Sequence, residues 1–139
     1  MSHEAQSALS VRDLQVRLRG QQDHALVRGI DLDLPAGEIT GLVGASGSGK
    51  TVTSLALMGL TPRGVFDVSA SQFQVTGREV DITSDSQLHD LRGNSLAMVF
   101  QDPATALDPV QRVGQQIAAP LRRHGRIVYQ YGLNFRQMG

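Results

Sequence analysis

Apolar and polar residues alternate at two places near the start of the chain: Leu14, Val16 and Leu18, then Ile30, Leu32 and Leu34 against Asp31 and Asp33. A period of two predicts two half-buried strands. Pro35-Ala-Gly-Glu38 reads as a turn. The mostly apolar run after it, Ile39-Thr-Gly-Leu-Val43, has the pattern expected of a core strand covered on both faces. From Thr51 the apolar positions Val52, Leu55, Ala56, Gly59 and Leu60 keep helical spacing, and no proline intervenes before Pro62. A glycine-rich stretch therefore lies between an expected buried strand and an expected helix.

Residues 61–72 read as a loop or weakly structured connection. Phe73, Val75, Val80 and Ile82 then alternate about a Thr76-Gly77 turn, predicting a second small antiparallel pair. Ser84-Asp-Ser-Gln87 fits a capping box ahead of Leu88 and Leu91, for a short helix ending near Gly93. Ser95 to Phe100 is another continuous apolar run, hence a second candidate core strand, and it stops at Gln101-Asp-Pro103. Asp108 and Pro109 read as N-cap and first-turn proline of a helix whose Val110, Val113, Ile117 and Leu121 share one face. Pro120 predicts a kink or an early end, and Arg122, Arg123 and His124 suit the negative pole of that helix.

Composition bounds the picture without deciding it. The chain's 139 residues, 40% of them hydrophobic, suffice for one domain with one core. Its 13 basic residues balance 13 acidic ones, so no overall field favours nucleic acid as a partner, and any basic site must be local. The absence of cysteine excludes disulfides and thiolate metal sites. No run approaches the roughly 18 apolar residues of a spanning helix. The start, Met1 to Ser7, has no basic segment followed by an apolar core, so a cytoplasmic location is expected. Residues 126–139 hold three of the six aromatic residues, a shift of composition that sets this tail apart from residues 1–125.

The glycine-rich stretch carries the chemistry. Gly44, Ala45, Ser46, Gly47, Ser48, Gly49, Lys50 and Thr51 match the phosphate-loop pattern G-x-x-x-x-G-K-[ST] in full. Glycines let the backbone curl with its amides inward, forming a nest that a Cβ would crowd. Lys50 is then expected to meet the β- and γ-phosphates of a nucleotide as a point charge, with the Thr51 hydroxyl as a ligand of Mg²⁺. A helix opening at Thr51 adds its positive pole. The pattern arises by chance in roughly one chain in a few hundred of this length. A plain turn gives no reason for lysine and threonine at those offsets.

The run Leu34 to Thr51, together with Met98-Val-Phe-Gln-Asp-Pro103, closely resembles the nucleotide-binding subunits of ABC transporters. The resemblance implies an α/β fold: an incomplete P-loop NTPase (RecA-like) core with an N-terminal antiparallel β-subdomain. In that family the residue matching Gln101 contacts Mg²⁺ and the attacking water, and touches the membrane subunit. A side-chain amide suits this, offering a neutral acceptor and a donor together. Met58 to Pro62, Leu91-Arg-Gly93, Phe100 to Val110 and Gly114 to Ile117 look like the branch that imports dipeptides, oligopeptides or nickel. Implied partners are permease transmembrane subunits, a second ATP-binding subunit and, indirectly, a solute-binding protein, at the cytoplasmic face of the inner membrane. DNA-repair and chromosome-maintenance ATPases share the loop and the glutamine. The neutral charge and the run Phe100 to Val110 argue against them.

Some family features are missing. The position that usually stacks on adenine falls on Leu18, and Thr105 to Asp108 stands too close to Gln101 for the family's later loop, leaving Asp108 a helix cap. After Gln101 there is no LSGGQ-like signature, no apolar strand ending in Asp-Glu and no switch histidine; His124 at a basic helix end is no substitute. The helical signature subdomain is thus expected to be absent, and the resemblance implies no complete catalytic set and no hydrolysis by this chain alone. The alternative function is a truncated remnant that at most binds nucleotide. His124 to Gln130 resembles a stretch that follows the switch histidine in the family, which suggests an internal deletion near residue 125, with a frameshift or early stop as the competing account.

Overall fold

The computed structural model describes residues 7–21, 25–101 and 107–123. It divides into two units, residues 1–96 and 97–139. The first is built on one antiparallel sheet. Strand β1 (Ser7–Leu18) lies at its centre, with β2 (Ala25–Pro35) along one side. On the other side β1 has two successive partners: Leu9 to Arg12 pair with β4 (Gln72–Val75), and Gln15 to Leu18 with β3 (Phe66–Ser69). A short strand, β5 (Arg78–Glu79), continues the sheet beyond β4.

The change of partner falls where β1 bulges. Register against β2 shifts between Val11 and Leu14, Asp13 takes φ 51°, and the Asp13 amide donates to the Asp31 carboxylate at 2.8 Å. An inserted residue moves the buried set by one position. Accordingly Leu9 and Val11 are buried before the bulge, and Leu14 and Val16 after it. Opposite, Gly29 takes φ 69°, a left-handed backbone that favours glycine there.

The two expected strands and the hairpin about Thr76-Gly77 are present, all in one sheet. Thr76 and Gly77 have φ of 51° and 77°, the two positive values that a tight hairpin matched to strand twist requires. The expected loop over residues 61–72 is corrected: it contains β3. Helix α1 (Lys50–Leu57) follows the glycine-rich stretch. It ends in paired bonds, Leu60 N–H to the Leu55 carbonyl at 2.8 Å and Gly59 N–H to the Ala56 carbonyl at 3.0 Å, with Gly59 left-handed at φ 63°. Helix α2 (Asp85–Leu91) starts after Ser84 as expected, but not by a capping box. The Ser84 side chain makes no cap bond, and Gln87 instead accepts from the Asp81 amide at 3.0 Å. Ala56 and Leu57 of α1 and Leu88 and Leu91 of α2 join Leu14, Val16, Phe73, Val75, Val80 and Ile82 in one core.

Neither apolar run is a core strand. Residues 39–43 form no strand, with Ile39 102% and Val43 93% exposed. In the second unit residues 97–100 form none either, and Val99 is 96% exposed. A strand covered on both faces takes hydrogen bonds from neighbouring strands, and no strand among the described residues pairs with these runs. Helix α3 (Val113–Arg123) starts later than expected. Asp108 closes a turn ahead of it, its carboxylate accepting from the Val110 amide at 3.0 Å and from Gln111 Nε2 at 2.7 Å. The helix continues through Pro120 to Arg123. His124 and residues 126–139 lie outside the described residues.

Charged pairs tie the surface of the first unit. Arg12 donates to both Asp33 oxygens, at 2.9 and 2.8 Å, and Ser10 Oγ to Oδ1 at 2.7 Å. These bonds lower the Asp33 pKa, Arg12 contributing most. Asp85 is lowered by Arg63 and Arg92, and Asp81 by Thr83. A depressed folded pKa stabilises the fold above the ordinary value of 3.8 and ceases to do so as pH falls through the lower folded value. Urea midpoints are therefore expected to drop on acidification below about pH 4, and less steeply in an Asp33→Asn/Asp81→Asn/Asp85→Asn variant. Equal acid sensitivity in both proteins would contradict this.

Candidate functional site

The stretch Gly44 to Gly49 crosses from the exposed run 39–43 to the first turn of α1. Two glycines make its curl possible: Gly47 has φ 79° and Gly49 φ 89°. Ser48 N–H closes a turn on the Ala45 carbonyl at 3.2 Å. Inside the curl lies the Lys50 ammonium, which donates to the Gly44 and Ala45 carbonyls, each at 2.7 Å, and to Ser48 Oγ at 3.2 Å. The loop is thus wrapped about a cation from its own helix.

Gly49 also fixes the loop to the sheet. A Cβ there would lie 2.9 Å from the Leu26 carbonyl and 3.4 Å from Val27 Cγ2 in β2, quite apart from the strain of its φ. Gly49→Ala is expected to cost roughly 1–2 kcal/mol from the left-handed backbone alone, plus the displacement of β2. A urea midpoint equal to that of the unaltered chain would show that the approach to Leu26 is not structural.

The electrostatics of this end of α1 are one-signed. Its N-cap is Gly49, with no side-chain cap, and no acidic residue stands in the first turn. The first amides of a helix have no acceptor within it. Uncapped amides, the helix pole and the Lys50 charge together suit a multiply charged anion. Thr51 is exposed in the same first turn and follows in sequence the lysine that such an anion would meet. The residues present therefore fit a phosphate group. Gln101 belongs to the other unit, where it is exposed after the irregular residues 97–100. Leu18, expected in place of an aromatic, is half-buried and pairs across strands with Phe66 of β3. The sequence reading missed Phe66 and the Leu26 carbonyl, since both depend on pairings remote in the chain.

The sequence profile described as ABC transporter matches residues 27–137, most of the chain and the whole of this loop. The chain belongs to the ABC transporter family. Among its relatives, the dipeptide transport ATP-binding protein of Lactococcus lactis is 36% identical over 122 residues, 87% of this chain and 35% of that protein. The oligopeptide transport ATP-binding protein of Bacillus subtilis is 36% identical over 121 residues, 86% of this chain and 34% of its own length. The glutathione import ATP-binding protein of Salmonella choleraesuis is 39% identical over 137 residues, 94% of this chain and 22% of that protein. The chain spans about a third or less of the length of these ABC relatives. The antiparallel sheet and three helices among the described residues are consistent with part of an ABC ATPase domain. No helix among the described residues is long and apolar enough to cross a membrane.

Proposed function

We propose that this chain is the ATP-binding portion of an ABC importer subunit that energises uptake of peptides or a related solute such as nickel. The observation that supports it most is the loop wrapped about Lys50, at an uncapped helix start with no acid in its first turn. Peptide, dipeptide and glutathione transport are named for its relatives. Gly44, Ala45, Ser46, Gly47, Ser48 and Gly49 would surround the phosphates with backbone, and Lys50 would exchange its carbonyl acceptors for phosphate oxygens. Thr51 would turn its hydroxyl to Mg²⁺, and Gln101 would offer a neutral amide to the metal or water. Bound Mg·ATP supplies an activated phosphoanhydride whose negative charge the metal partly neutralises. The partners proposed are permease transmembrane subunits and a second ATP-binding subunit, with the protein peripheral to the cytoplasmic face of the membrane.

Binding is assigned to this chain and turnover is not. No carboxylate among its residues stands in a strand-ending Asp-Glu pair, and no LSGGQ-like segment follows Gln101. The purified chain is expected to retain ATP through a desalting column with no phosphate release above the buffer rate. Phosphate release that disappears in Lys50→Ala would contradict the second half. Failure to retain nucleotide would contradict the first.

A further inference from the structure

Helix α1 has no charge of its own to compensate either end: its first turn holds no acid and its last turn no base. Its carboxyl end is met instead by Arg92, the residue that closes α2. The Arg92 side chain is 23% exposed and donates in three directions. Nη1 reaches the Gly59 carbonyl at 3.4 Å, Nη2 the Asp85 carboxylate at 3.2 Å and Nε the Leu88 carbonyl at 3.3 Å. Gly59 caps α1, whereas Asp85 and Leu88 belong to α2. One planar guanidinium therefore joins the end of the helix that follows the phosphate loop to the next helix along the chain.

Packing closes the same joint. A Cβ on Gly59 would lie 2.6 Å from Leu88 Cδ1 and 3.2 Å from Leu88 Cβ, so the cap of α1 rests directly on the buried Leu88. Asp85 also pairs with Arg63, which ties the segment leaving α1 to α2 a second time. Past Arg92 the chain folds back on α2. The Ser95 and Leu96 amides donate to the Leu91 carbonyl at 2.9 and 3.0 Å, and the Gly93 amide to the Leu96 carbonyl at 2.7 Å. Arg92 thus stands between the cap of α1 and this turn.

We propose that Arg92 is a positioning residue for the nucleotide site: it holds α1 on α2, so that an anion at the first turn of α1 and order in residues 92–96 favour each other. The inference rests on nucleotide binding at Gly44 to Thr51, and Arg92 is bonded at the opposite end of α1 from that loop. An anion drawn onto the amides at one end of an eight-residue helix acts on a rigid rod. The other end of that rod is packed against Leu88 without clearance, and close packing transmits displacement. The guanidinium resists any parting of the two helices there. Coupling between two such places is reciprocal, so loosening the joint weakens binding and binding tightens the joint.

Titration of the full chain with a fluorescent ATP analogue tests it. Arg92→Ala is expected to bind about fivefold more weakly, the lower end of ordinary coupling between sites, at a temperature where its circular dichroism matches that of the unaltered chain. Arg92→Lys should not restore affinity, because an ammonium is a point donor and cannot span the three acceptors. Arg12→Gln breaks the ion pair with Asp33 in the sheet and should bind as the unaltered chain does. Hydrogen exchange of the unaltered chain needs no variant: Mg·ATP should slow the Leu60, Ser95 and Leu96 amides as well as those of the loop. Equal affinity in Arg92→Ala, with binding still lost in Lys50→Ala, would overturn the inference and leave the reading of the loop intact. So would full restoration by Arg92→Lys, an equal loss in Arg12→Gln, or ATP that slows the loop amides but not those of Leu60, Ser95 and Leu96. Absence of binding in the unaltered chain would overturn both.

Discussion

Replacing Lys50 by alanine is expected to lower ATP affinity by about tenfold to a hundredfold, the range for loss of a charge-assisted hydrogen bond of roughly 1.5–3 kcal/mol. The ammonium is the one positive side chain of the loop, and it is already positioned there by the Gly44 and Ala45 carbonyls at 2.7 Å. Those carbonyls are neutral acceptors on an exposed loop, so phosphate oxygens compete for the same protons with full negative charge. The substitution also removes the tie that closes the curl, exposing two carbonyls to solvent without burying anything. Stability should therefore change by less than about 0.5 kcal/mol while binding is lost. Titration with a fluorescent ATP analogue and a urea melt of the same sample check both halves. Unchanged affinity in Lys50→Ala would remove the loop from the binding site.

The second large effect is on stability. Leu14 is fully buried at the centre of β1, just after the bulge where that strand changes partners. Leu14→Ala is expected to destabilise the sheet unit by about 2–5 kcal/mol, through lost transfer energy and the cavity left behind. Against a total of roughly 5–15 kcal/mol for an ordinary domain, that is a large fraction. Ile39→Ala provides the contrast. Ile39 is 102% exposed, so its truncation should stay within about 0.5 kcal/mol of the parent. Midpoints from urea melts decide, and an Ile39→Ala loss as large as that of Leu14→Ala would place residues 39–43 in a core.

That contrast shows where the sequence was informative. Leu14 and Val16, like Ile30 to Leu34, belong to strands with one face on the core, and such strands carry their periodicity openly. Residues 39–43 and 95–100 are as apolar as core strands, yet a strand exists only when other backbone pairs with it, and pairing is not a local property. Strand β3 went unread for the complementary reason: Phe66 to Ser69 is too short to show a period, and its partner β1 is remote in the chain. At the site, glycine, lysine and threonine offsets announced the loop. They could not announce that Lys50 turns back on Gly44 and Ala45, or that Gly49 must clear the Leu26 carbonyl. The role proposed for Gln101 rests on family likeness alone, since an exposed side chain after an irregular segment carries no local sign of metal or water.

Hydrogen exchange in the presence and absence of Mg·ATP tests the central claim most directly, because it reports where nucleotide lies. The account predicts slowed exchange of the amides from Ala45 to Thr51, which the loop presents at the uncapped start of α1, and loss of that protection in Lys50→Ala. ATP binding that leaves the amides of Ala45 to Thr51 exchanging as before would contradict it.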